Sequence, residues 1–186
     1  MNDLVDFYFS NIIHVVEHAI QSPSGLHPLL IHFPIALLYI APLFIIIGCL
    51  LKDLRRPFFW SSLVLIIIGT FSLWLSLITG EMAAEALTNI PEKALETLSY
   101  HDELAHVSRN IFIVLSIIFS LYVANFRALF FQLRRRWHNL FLVAFLTVYC
   151  AGLIVLTNTA HYGGELVHQH HIRSTIFNNN VISTKP

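Results

Sequence analysis

Three runs of the chain, Leu29–Leu51, Phe58–Gly80 and Asn139–Ala160, each exceed twenty residues without an Asp, Glu, Lys or Arg. Coiled as a helix at about 1.5 Å per residue, each is long enough to span a hydrocarbon core of roughly 30 Å. A fourth run, Ile111–Phe126, is shorter, and Val107–Leu133 completes it when Arg127 snorkels to the headgroups. The pattern predicts an all-α membrane protein: an antiparallel bundle of four transmembrane helices with spans about 29–51, 58–80, 107–126 and 139–160. Residues 3–21 carry a different signal. Leu4, Val5, Ile12, Val16 and Ala19 share one side of a helix, and Asp3, Asp6, Ser10, Glu17 and Gln21 mark the other. The acidic start is unlike a signal peptide. It predicts an amphipathic interfacial helix over 1–22, lying on the outer membrane surface or over the bundle mouth. The domains are then this helix, a four-helix domain over 26–172, and a flexible Asn- and Ser-rich tail over 173–186.

The breaks between runs refine these elements. Ser22-Pro23-Ser24-Gly25 precedes the first span, Pro28 suits a first helical turn, and Pro34 either kinks the helix or belongs to that turn too. Thr79-Gly80 reads as a helix stop. The only sizeable extramembrane connection is then 81–98, with a short amphipathic helix over Pro91–Leu98. Ser99-Tyr100-His101-Asp102 resembles a capping box and predicts the start of the third long helix. Gly163-Gly164 reads as a turn after the fourth.

Composition and charge place these spans. Hydrophobic residues make up 56% and charged residues 12%, against about 45–50% and about 25% in soluble domains. Net charge is zero, but it is unevenly spread. Lys52, Arg55, Arg56, Arg127, Arg134, Arg135 and Arg136 fall in two loops on one side, and every acidic residue except Asp53 falls on the other. The positive-inside rule makes the basic loops cytoplasmic. Both termini and 81–106 are then periplasmic, in a bacterial inner membrane. There is no basic nucleic-acid face and no motif of a soluble catalytic site. Cys49 and Cys150 read as buried small-residue packing.

Histidine gives the candidate chemistry. Ten of eleven, all but His138, fall on the outer side, most at the ends of apolar runs. Polar groups at membrane depth are costly and mark function, and neutral imidazole is the commonest protein metal ligand. His14 and His18 read as a solvated pair. His27 and His32 are five residues apart, as are His101 and His106. Members of such a pair lie about 140° apart around a helix and differ by about 7.5 Å in depth. One helix therefore cannot aim both at one metal, and ligation must pair histidines across helices. His32, His106 and His161 are the first candidates by depth, followed by His27, His101 and His168. One reading is haem b, with axial histidines from two helices, room made by Gly69, Gly80 and Gly152, and Arg109 pairing with a propionate. The alternative is a non-haem iron or zinc site on His32, His106 and His161 with Glu81 or Glu165, beside Glu85. Copper(I) transport fits poorly, because it favours thiolate or thioether ligands, Met82 is the only methionine besides the initiator, and neither cysteine is placed to help. A cofactor-free scaffold with interfacial histidines is the third reading.

The segment His27-Pro28-Leu29-Leu30-Ile31-His32-Phe33-Pro34-Ile35-Ala36-Leu37 resembles the opening signature of a bacterial family of predicted membrane proteins, domain of unknown function 2231. His101-Asp102-Glu103-Leu104-Ala105-His106 is similar to its histidine-bearing third helix. Gly163-Gly164-Glu165-Leu166-Val167-His168 is similar to its closing motif. That motif usually continues with an aromatic, an acid and His-Gly, whereas here His168-Gln169-His170-His171 follows Val167. Either His168 or His170 then stands for the family histidine. The resemblance covers most of residues 26–172. It implies a four-helix inner-membrane domain, and the family's fusion to c-type cytochrome and other redox modules implies electron transfer. The expectation is a membrane subunit without substrate chemistry of its own, in contact with lipid and a periplasmic cytochrome or other redox protein.

Overall fold

The computed structural model describes residues 23–88, 90–125 and 135–172, and every element among them is helical. The expectations for 1–22 and 173–186, and for the basic loop around Arg127 and Arg134, lie outside the described residues. In chain order the elements are α1 (Pro23–Leu30), α2 (His32–Leu50), a 3-10 turn (Lys52–Leu54), α3 (Arg55–Glu85), α4 (Glu92–Ala124) and α5 (Arg135–His168). Four stretches are long and apolar enough to cross a membrane: Gly25–Leu50, Lys52–Glu85, Glu92–Ala124 and Trp137–His168. α1 and α2 make one span with a break at Ile31. Pro34 falls in the first turn of α2, where its missing N–H costs nothing.

α2 packs mainly on α3 and α4 on α5, and α3 joins the two hairpins to each other. Leu38, Ala41, Ile45, Ile66, Phe112 and Phe119 are fully buried along the axis. Phe119 stacks on Phe145 with ring centroids 5.1 Å apart, and Phe141 on Tyr122 at 4.6 Å. Phe33, Leu43, Phe71, Ile117, Val143 and Ile154 face outward and are exposed, as a hydrocarbon-facing surface requires. In lipid no hydrophobic force draws helices together, so close packing and internal hydrogen bonds must do so. Ser62 donates to Ala41 O at 2.9 Å, Tyr149 to Leu38 O at 2.8 Å, and Thr70 pairs with Ser116 at 2.8 Å. No buried side-chain nitrogen or oxygen among the described residues lacks a partner.

The two hairpins repeat one another. A Cβ on Gly69 would lie 2.8 Å from Leu38, and one on Gly80 would lie 2.9 Å from His27. In the second hairpin Gly152 meets Ile111 at 2.9 Å and Gly163 meets His101 at 2.9 Å. Gly69 and Gly80 are eleven residues apart, as are Gly152 and Gly163. A shift of 74 residues carries His27 and His32 onto His101 and His106, and a shift of 83 carries both glycines of α3 onto those of α5. Even the hydrogen bonds between hairpins are reciprocal. Tyr149 reaches back to the carbonyl of Leu38, and Thr70 approaches the carbonyl of Phe112, the counterpart of Leu38, at 3.5 Å.

Three expected boundaries move for one reason. α3 continues through Gly80 to Glu85, and α5 continues through Gly163-Gly164 to His168. Gly80 and Gly163 are points of close approach to a neighbouring helix, not stops. α4 begins at Glu92 after Pro91 and runs unbroken through Ser99, so the capping-box match lies inside a helix and the connection shortens to 86–91. Cys49 is half-buried, but Cys150 is exposed on the outward face, so the packing expectation fails for Cys150.

Candidate functional site

Both histidine-bearing helix starts, α1 and α4, lie at the same end of the bundle. His27 projects from α1 across α3, where its Nδ1–H donates to Ser76 O at 2.8 Å and its ring edge rests on Gly80. His101 projects from α4 across α5, where its Nδ1–H donates to Thr159 O at 2.8 Å and its ring edge rests on Gly163. In each case the carbonyl lies four residues before the glycine, one helical turn away. Glycine is needed because a side chain there would occupy the space of the imidazole. The two rings stand perpendicular with centroids 6.4 Å apart.

This arrangement fixes the tautomer. A carbonyl can only accept, so Nδ1 carries the proton and Nε2 keeps its lone pair. That is how metal-ligating histidines are commonly oriented, one ring nitrogen held by a carbonyl and the other turned to the ion. Two imidazoles ligating one ion end-on, at about 2 Å each, place their ring centroids about 6 Å apart. The centroid separation of His27 and His101, 6.4 Å, is near that distance.

The remaining candidates are placed elsewhere. His32 is exposed, and its Nδ1–H donates back to Pro28 O at 2.7 Å within the α1–α2 span. His161 and His168 are exposed on α5, with His161 5.8 Å from the ring of Tyr162. Arg109 donates to the side chain of Asn110 at 3.1 and 3.2 Å. Glu165 lies 4.0 Å from His170 Nε2, which is also 3.2 Å from Thr97 Oγ1. His106 forms a separate group: its Nε2 is 3.3 Å from Glu81 Oε1 and 3.7 Å from Asp102 Oδ2. Of the three glycines expected to make room for a ring, Gly69 and Gly152 are covered by Leu38 and Ile111, and only Gly80 faces a histidine.

Ranking by depth set His32, His106 and His161 first, whereas the histidines that converge are His27 and His101. The signal lay in the sequence as a histidine facing a glycine in each half. The closeness of Asp102 to His106 was also missed, although its spacing of four puts both on one face of α4. The carbonyls of Ser76 and Thr159 have no signature in the sequence, because any residue supplies one.

Residues 23–175 match the model of a family described as predicted membrane protein (DUF2231), and the chain belongs to that family. No curated protein and no solved structure matches the chain.

Proposed function

We propose that this DUF2231 protein is a bis-histidine haem b subunit of the bacterial inner membrane that exchanges electrons with a redox partner, a cytochrome for example, on the periplasmic side. One observation carries the reading: His27 and His101, from different helices, are both held at Nδ1 by a backbone carbonyl and stand 6.4 Å apart. The Nε2 atoms of His27 and His101 would hold the haem, which would supply one-electron chemistry. The chain's own contribution is orientation. Ser76 O and Thr159 O fix each imidazole, Gly80 and Gly163 let each ring approach, and the apolar helices below keep out water. The charge asymmetry of the loops supports a periplasmic mouth.

The test is a reduced-minus-oxidised absorption spectrum of detergent-purified protein made with haem supplied. A Soret shift and a sharp α band are expected. Both should vanish in His27→Ala and in His101→Ala and persist in His32→Ala. A flat spectrum from folded, haem-replete protein sinks the reading. Loss in His32→Ala with retention in His27→Ala moves the ligand to the other histidine of the first span.

A further inference from the structure

Beside the histidine pair, Glu81 at the end of α3 meets Asp102 and His106 on α4. Their ligand atoms all lie within 4.8 Å of one another. His106 Nε2 faces the carboxylates as an N–H donor in one tautomer and with a lone pair in the other, while the two carboxylates offer each other only acceptors and are relieved by a cation. No lysine or arginine supplies it: the ion pairs among the described residues all involve histidine. Arg109, one turn along α4 from Ala105, spends its guanidinium on Asn110 instead. The trio is half-exposed, with side-chain exposures of 46% for Glu81, 52% for Asp102 and 39% for His106, so an ion can enter from solvent and retain water ligands.

We infer that Glu81, Asp102 and His106 form a divalent transition-metal site, of the class that takes Zn²⁺, which clamps α3 to α4 at the mouth of the bundle. One imidazole nitrogen and two carboxylate oxygens suit such an ion and leave a coordination position for water. The ligands come from two helices, so the ion ties the first hairpin to the second beside the short 86–91 connection. The alternative is a proton on Nε2: His106 would then donate to Glu81 without metal. Metal and proton compete for the same nitrogen, so binding must weaken as pH falls. The site shares no residue with the His27–His101 pair and stands or falls independently of it.

The experiment is Zn²⁺ titration of chelator-treated, haem-free protein in detergent against a competing indicator, with thermal unfolding read in parallel. We expect one equivalent bound in the micromolar range and a rise in Tm. Affinity should fall at least tenfold in Glu81→Gln and in Asp102→Asn, and stay unchanged in Glu92→Gln, an exposed acid elsewhere on α4. Both key variants keep side-chain shape at half-exposed positions, and a monodisperse elution profile identifies folded protein. Unchanged affinity in both, or no binding at micromolar Zn²⁺, overturns the proposal. In that event a hydrogen bond from His106 Nε2–H to Glu81 accounts for the cluster. Failure here with a haem spectrum intact leaves the bis-histidine reading standing, and a flat haem spectrum with Zn²⁺ bound leaves this one.

Discussion

At the scale of single residues, two glycines decide how the histidines are held. A methyl on Gly80 or Gly163 would lie 2.9 Å from Cε1 of the facing imidazole, inside contact distance. Helix propensity favours alanine over glycine by about 1 kcal/mol, so backbone energetics and site geometry pull in opposite directions. Gly80→Ala and Gly163→Ala should therefore fold normally and lose the haem spectrum. Gly164→Ala, whose Cβ meets open space, should keep the spectrum and gain up to about 1 kcal/mol in thermal stability. Spectra and melting curves on the same preparations check both. An intact spectrum in Gly80→Ala means that His27 is not held against α3. These roles were only half legible in the sequence. Histidines at helix ends are visible in any hydropathy trace, but a glycine reads as a stop until the neighbouring helix is seen to rest on it.

At the scale of elements, four spans were readable because long uncharged runs have few alternatives in a membrane. Helix ends were not, because extramembrane turns stay helical when their faces pack. Ser99 shows the difference. It stands exposed on a continuous α4, so Ser99→Ala should leave circular-dichroism helicity unchanged and stability within about 0.5 kcal/mol. A true cap would cost about 1 kcal/mol. Between elements, the buried Tyr149 hydroxyl ties α5 to the carbonyl of Leu38 on α2. Inter-helix hydrogen bonds in membranes are worth about 0.6–1.7 kcal/mol, so Tyr149→Phe should lower stability by about that amount in a denaturation series.

At the scale of the whole molecule, the chain is two similar hairpins facing one another, with one converging histidine in each. The sequence offered this in the matching spacing of His27 and His32 with His101 and His106, yet identity elsewhere between the halves is too sparse to reveal the repeat by eye. The polar contacts between hairpins, Tyr149 to Leu38 and Thr70 to Ser116, are made by side chains and do not depend on the loop. Fragments 1–88 and 89–186 should therefore reassemble when co-expressed, copurify and recover the haem spectrum, while neither alone should show it. Failure of the folded fragments to copurify would show that the connection, not the interface, holds the halves together.

The placement of Thr159 has a consequence for biosynthesis. The carbonyl that orients His101 belongs to α5, which leaves the ribosome after the other described helices. While the third span waits in the membrane for the fourth, His101 has no fixed direction and His27 faces no counterpart. Loading of a cofactor on this pair would therefore follow insertion of α5, and a bound haem would certify that all four spans had been threaded.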